Sequence, residues 1–284
     1  MRTLLIHHHL PKNAGSFISH LLKNEYKDKF SLVNDTAGFD KVDFSSDLVC
    51  LELDPYSYHS DFYKRLNQEI SLFDEVKNFT CLRHPVSRII SSVRYARKMG
   101  PNYGFHHYVR HIRGPYTNFA YDDLIESANK DIPFRYANPS VSSIIDFIVR
   151  CTTDNTVVNE EFSIGQTYRL SFGKFQEVCS LNKKLQEIVR STVLHGDDLR
   201  QQFFNYISAP EFAVVGVQER FGTYLESLAS SDIISKRSLI AGQNKIVNKG
   251  SRSECDHVEP ALVMDFYLKY PIDFLLWGFF FERD

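Results

Sequence analysis

Hydrophobic positions along this 284-residue chain follow two alternating rhythms. Short, nearly continuous apolar runs open at Thr3 and recur at Leu48–Leu53 (LVCLEL), Asn78–Arg83 and Glu211–Val217 (EFAVVGV). Runs of this length, rich in Leu, Val and Ile, read as strands of a buried sheet. Between them, apolar residues recur with helical spacing in Phe17–Leu22, Asp61–Leu72, Ile89–Arg97, Phe119–Ala128, Val141–Arg150, Leu181–Thr192, Glu219–Ala229 and Val258–Tyr270. Strands alternating with helices predict an α/β fold: one domain over 1–284, with a central parallel sheet and helices on both faces. Residues 154–171 and 233–256 are too polar and irregular to assign, and long loops of this kind often carry specificity. The apolar run Phe274–Phe281 is too short to span a bilayer and predicts a buried C-terminal element.

Two of the strand-to-helix junctions carry chemistry. The first strand leads into Leu10-Pro11-Lys12-Asn13-Ala14-Gly15-Ser16 and then a helix. A loop of small residues with one lysine, placed before a helix N-terminus, is the layout of a phosphate cradle. Gly15 permits close backbone approach, Ser16 offers a hydroxyl and an N–H, and Lys12 supplies a mobile charge. The fragment lacks the Walker A spacing, and a plain connection reads equally well from it alone. The second junction follows Asn78–Leu82 as Arg83-His84-Pro85-Val86-Ser87-Arg88. Pro85 suits a first helical turn, which sets Arg83 at the carboxyl end of a strand and Ser91 on the helix. In an open α/β sheet, ligands bind at that edge. Two anion-binding junctions suit a ligand with phosphates at two separate places.

The two junctions resemble motifs of one family. His9–Ser16 (HLPKNAGS) is similar to the H-I-P-K-T-A-G-T/S motif that binds the 5′-phosphosulfate in carbohydrate-type sulfotransferases. Leu82–Arg88 with Ser91 resembles their L-R-D-P-x-x-R-x-x-S motif for the 3′-phosphate. Val214–Arg220 (VVGVQER), followed by Tyr224–Leu228, resembles a third, downstream segment of the family. The three come in the family's order between Thr3 and Leu228, nearest to the heparan sulfate 2-O-sulfotransferase branch. Asn13 stands where the family has Thr, and His84 where it has Asp, which leaves the local charge more positive. The resemblance implies a P-loop-like nucleotide-binding (sulfotransferase) fold and a transferase. Its donor would be 3′-phosphoadenosine 5′-phosphosulfate, leaving adenosine 3′,5′-bisphosphate, with no metal. The acceptor would be a hydroxyl of a carbohydrate or small molecule.

By that resemblance, Lys12 stabilises the leaving oxygen, and Lys12, Asn13, Ala14, Gly15, Ser16 and Phe17 hold the 5′-phosphate. Arg83 and Ser91 hold the 3′-phosphate, while Arg88 either touches the ligand or braces the loop or a neighbouring carboxylate. His59 is the candidate proton acceptor, with Glu52 and Asp54 as carboxylate alternatives. His9 packs or orients the loop, and a basic segment before the C-terminal helix, with Lys249 and Gly250, closes over the nucleotide. Two other readings stay open. One is a kinase-like phosphotransferase, disfavoured by the missing Walker A residues. The other is a catalytically silent nucleotide- or glycan-binding module, for which Lys12 has no use.

Charge sharpens the picture. The chain carries a formal −2, yet Val76–Tyr121 contains no Asp or Glu and eight Lys and Arg. This predicts a focused positive surface, with Arg94–Arg113 and its interleaved aromatics and histidines as either an acceptor groove or a solvated face. No nucleic-acid-binding motif accompanies it. Five cysteines without paired spacing predict a reduced, cytoplasmic chain, and no signal-peptide pattern opens the sequence. The sequons at Asn34 and Asn78 are then coincidental. Neither histidines nor cysteines show zinc spacing.

Overall fold

The computed structural model describes residues 1–10, 12–53, 60–98, 165–170, 175–190, 212–244 and 258–283, together with Ile145. Five strands form one all-parallel sheet: β1 (Thr3–His8), β2 (Phe30–Val33), β3 (Leu48–Leu53), β4 (Glu75–Leu82) and β5 (Phe212–Val217), in the order β2-β3-β1-β4-β5. The helices are α1 (Gly15–Tyr26), α2 (Thr36–Phe39), α3 (Ser60–Ile70), α4 (Pro85–Lys98), α5 (Gly165–Leu170), α6 (Phe175–Arg190), α7 (Phe221–Ser230), α8 (Lys236–Gln243), α9 (Pro260–Lys269) and α10 (Pro271–Arg283). The helices expected at Phe119–Ala128 and Val141–Arg150 lie outside the described residues, except for Ile145, which is buried. Among the described residues, no helix is long and apolar enough to cross a membrane.

The two-residue period of each strand divides the core between the sheet faces. Leu5, Cys50, Phe79, Cys81 and Val214 face α1 and α7, meeting Ile18, Leu22, Tyr224, Leu225 and Leu228. Leu4, Ile6, Val49, Leu51 and Leu53 face the other way, onto Phe39, Phe62 and Leu66 of α2 and α3. Gly216 of β5 exists for contact: a Cβ there would lie 1.9 Å from the Tyr224 ring, so only glycine lets α7 pack so close.

Polar residues gather at the carboxyl ends of the central strands. His7, His8, Glu52, Asn78 and Thr80 are all buried. An unpaired buried polar group costs about 1–3 kcal/mol, so pairing decides whether this edge can exist. His8 Nε2 lies 3.0 Å from Asn78 Oδ1, and the Thr80 hydroxyl donates to the His8 carbonyl at 2.8 Å. Burial of Asn78 within β4 also removes it as a glycosylation site.

Four elements depart from the hydrophobic pattern. β2 and α2 occupy a stretch with no clear rhythm, and α5 and α8 fall inside the segments read as irregular. Side-chain capping accounts for two of them. Asp35 accepts from the Gly38 N–H to start α2, and Ser235 accepts from the Ser238 N–H to start α8. The C-terminal run is helical but only partly buried: Ile272 and Leu276 face the core, while Phe274 and Trp277 are half-exposed.

The strand order places the site. From β1 the chain runs to β2 on one side of the sheet, and β5 lies beyond β4 on the other side. The gap between the carboxyl ends of β1 and β4 is therefore a topological switch point, where open parallel sheets bind ligands. Both loops singled out by the sequence open onto it.

Candidate active site

The loop after β1 is held in a left-handed turn. Lys12 and Ala14 both have positive φ, at 67° and 63°. For residues with a Cβ this conformation costs on the order of 1–2 kcal/mol each, and such strain collects at ligand sites. The Ala14 carbonyl accepts from the N–H groups of Phe17 (2.9 Å) and Ile18 (3.2 Å), and no side chain caps α1. The first amides of the helix, Gly15 and Ser16, thus point past its end, where the helix dipole favours an anion. Ser16 is exposed beside them.

Gly15 has a second reason to be glycine. A Cβ there would sit 2.0 Å from Cδ2 and Nε2 of His9, whose ring lies directly on the loop. His9 Nδ1 is 2.8 Å from Glu52 Oε1, His7 Nδ1 is 3.1 Å from Oε2, and Ser19 Oγ is 2.7 Å from Oε1. The His7 ring stacks on Phe79 at 5.3 Å. Burial lowers the His7 pKa, partly offset by Glu52, so His7 is a neutral donor. Burial also acts to raise the Glu52 carboxyl, but the hydrogen bonds from His7, His9 and Ser19 outweigh it and hold the group at about 2. Glu52 is a fixed carboxylate that anchors β1 and α1 beneath the loop, and its two oxygens are committed.

Asn13 turns inward. It is buried, with Nδ2 donating to the Cys81 carbonyl (3.0 Å) and to Gln166 Oε1 (2.6 Å). Phe17 packs edge-on against Phe221 at 5.2 Å. At the mouth of this loop Lys12 is half-buried and Ser16 exposed.

Arg83 extends from β4 toward the first loop and donates from Nη1 to the Lys12 carbonyl at 2.9 Å. A guanidinium has five N–H donors in a fixed fork, and the bond to the loop uses one of them. Ser91 lies on α4, half-buried. Arg88 reaches Asp273 of α10, with Nη2 3.9 Å from Oδ2, an ion pair that fits the carboxylate brace among its expected roles. His84 donates its backbone N–H to Glu219 (3.0 Å), and its ring meets Trp277 edge-on at 4.6 Å. Burial lowers its pKa, opposed by Glu219, so the local gain in positive charge comes from the absence of an aspartate, not from an imidazolium. Lys77, counted in the basic window, donates instead to the Ser231 carbonyl and pairs with Glu75.

His59, Asp54, Lys249 and Gly250 lie outside the described residues, as does the Arg94–Arg113 stretch beyond the α4 backbone. Two residues at the site escaped the sequence reading. Gln166 bonds both loops, and Asp273, fully buried, accepts from the N–H groups of Gln166 (3.0 Å) and Thr167 (2.8 Å) and from the Thr167 hydroxyl (2.6 Å). No local pattern marks either one, since each acts more than 80 residues away in sequence. Among the described residues, no group of His, Cys, Asp and Glu could hold a metal ion. No protein-family model, curated protein or solved structure matches the chain.

Proposed function

We propose that the protein is a sulfotransferase that moves a sulfuryl group from 3′-phosphoadenosine 5′-phosphosulfate to a hydroxyl of a carbohydrate or small-molecule acceptor. The observation that carries this reading is the pairing of two anion-suited loops across one topological switch point. One is the strained turn of Lys12–Ala14 before α1, the other is Arg83 before α4, and the Arg83 guanidinium donates to the Lys12 carbonyl. A donor with a phosphate at each end of its adenosine uses both, whereas ATP uses one.

In the reaction the acceptor oxygen attacks sulfur and forms the new S–O bond, while the bond from sulfur to the 5′-phosphate oxygen breaks. The electron pair stays on the phosphate, and the acceptor proton goes to a base. Lys12 and the Gly15 and Ser16 amides meet the charge that develops on the leaving oxygen. Arg83 fixes the 3′-phosphate, and positioning supplies much of the rate. Glu52 is a poor base because both its oxygens are occupied and its carboxyl is held at about 2, which leaves the proton acceptor to His59 or Asp54.

Thermal denaturation with three nucleotides tests the proposal. Adenosine 3′,5′-bisphosphate is expected to raise the melting temperature well above the effect of AMP or ATP, since binding to the native state alone stabilises it by mass action. Equal effects of AMP defeat the two-site reading, and a preference for ATP favours a phosphotransferase. Labelled donor offered with sugars, glycolipids and hydroxylated metabolites then identifies the acceptor.

A further inference from the structure

Gln166, from a segment that the sequence left unassigned, occupies the gap between the two loops. Its Oε1 accepts from Asn13 Nδ2 of the first loop at 2.6 Å and from the Arg83 backbone N–H of the second at 2.9 Å. Its Nε2 donates to the Arg83 carbonyl at 2.8 Å. The residue is 1 % exposed, and the N-terminus of its helix is fixed by Asp273 from α10. We infer that Gln166 is a positioning residue that sets the spacing of the two anion loops, and that it thereby determines selectivity for a doubly phosphorylated nucleotide over a singly phosphorylated one.

The physical basis is preorganisation. A ligand that engages one loop binds wherever that loop sits. A ligand that must engage both gains the second contact at high effective concentration only if the loops are held at the matching distance. A glutamine suits this task because one side chain offers an acceptor and a donor in a planar amide, which reads both the N–H and the C=O of Arg83. The Arg83–Lys12 bond runs alongside, but a guanidinium that binds phosphate has competing demands, whereas Gln166 is buried and committed.

This inference rests on the two-phosphate reading for its consequence, but not for the tie itself, and two measurements separate them. The first is amide hydrogen exchange without ligand on Gln166→Met, which preserves volume in the buried site. The Arg83 and Asn13 amides are expected to exchange at least about tenfold faster together, with Cys50 and Leu51 unchanged. Faster exchange in one loop only, or in neither, overturns the tie. The second is calorimetric affinity for adenosine 3′,5′-bisphosphate, 5′-AMP and 3′-AMP. In Gln166→Met the bisphosphate is expected to weaken about tenfold or more, and each monophosphate by less than about threefold. Equal weakening of all three overturns the selectivity role. Gln166→Glu keeps both accepted hydrogen bonds but replaces the donor to the Arg83 carbonyl with a carboxylate oxygen that repels it, so both loops are expected to exchange faster than in wild type at neutral pH. Wild-type exchange in this variant overturns the tie as well, and it decides the matter if the methionine variant does not fold. Wild-type protein that binds the bisphosphate no more tightly than 5′-AMP defeats the donor reading and leaves exchange to judge the tie.

Discussion

At the scale of single residues, the site is recognisable by what it spends on shape. Lys12 has positive φ although glycine would adopt that backbone without cost. The fold therefore tolerates strain at the residue to which the proposed function assigns the leaving oxygen, and two variants expose it. Lys12→Gly is expected to be more stable than Lys12→Ala by about 1 kcal/mol, because alanine keeps the Cβ that clashes in the left-handed region. Both are expected to lose nearly all turnover. Equal denaturation midpoints for the two variants argue that the turn is unstrained. Gly15→Ala makes the opposite point. The new methyl group meets the His9 ring and must push it off Glu52, with an expected loss of about 1–3 kcal/mol in urea denaturation. A neutral effect there means that His9 does not lie on the loop.

At the scale of elements, the sheet was legible and its connectors were not. Leu48–Leu53 reads as a strand from its apolar run and forms β3 over those same residues. β1, β4 and β5 follow for the same reason, since parallel strands buried on both faces need nearly continuous apolar sequence. Both candidate loops were visible because each places a Lys or Arg, small residues or Pro in fixed order within one turn. α5 was not visible. Its six residues start where Asp273 accepts from two of its amides, and that partner lies more than 100 residues downstream. Asp273 itself sits just before the apolar run Phe274–Phe281, where nothing local marks it. Asp273→Ala is expected to cost about 2–4 kcal/mol, because it leaves buried amides and the Arg88 guanidinium without their acceptor. Arg88→Ala removes the cation 3.9 Å from Asp273 but leaves the capping of α5 in place, and is expected to cost less. The reverse order of stabilities shows that the ion pair, and not the capping of α5, is what matters.

At the scale of the whole molecule, the polar carboxyl edge of the sheet makes stability depend on pH. His8 is buried, and burial lowers its pKa to about 4, with the Asn78 hydrogen bond only partly offsetting it. His7 and His84 are lowered in the same direction, also by burial. In the unfolded chain each titrates near 6.5, so below that pH the unfolded state binds protons that the native state refuses. Stability therefore falls as pH drops from about 6.5 toward 4, and the His8 shift alone corresponds to about 3 kcal/mol. Glu52 adds a later loss, because its stabilising hydrogen bonds are present above the ordinary carboxylate range and disappear as pH approaches about 2. Asp273 opposes both: its carboxyl is raised, mainly by burial, and the native state takes up its proton first as pH falls. Two buried imidazoles and one half-buried, against one carboxyl, should leave the net slope downward. Urea midpoints measured from pH 7.5 to 4.5 are expected to decline steadily, and His8→Gln, which keeps a donor for Asn78, is expected to flatten the decline by roughly the His8 share. An unchanged slope in that variant places the proton uptake elsewhere on the chain, and an upward slope makes Asp273 the dominant group.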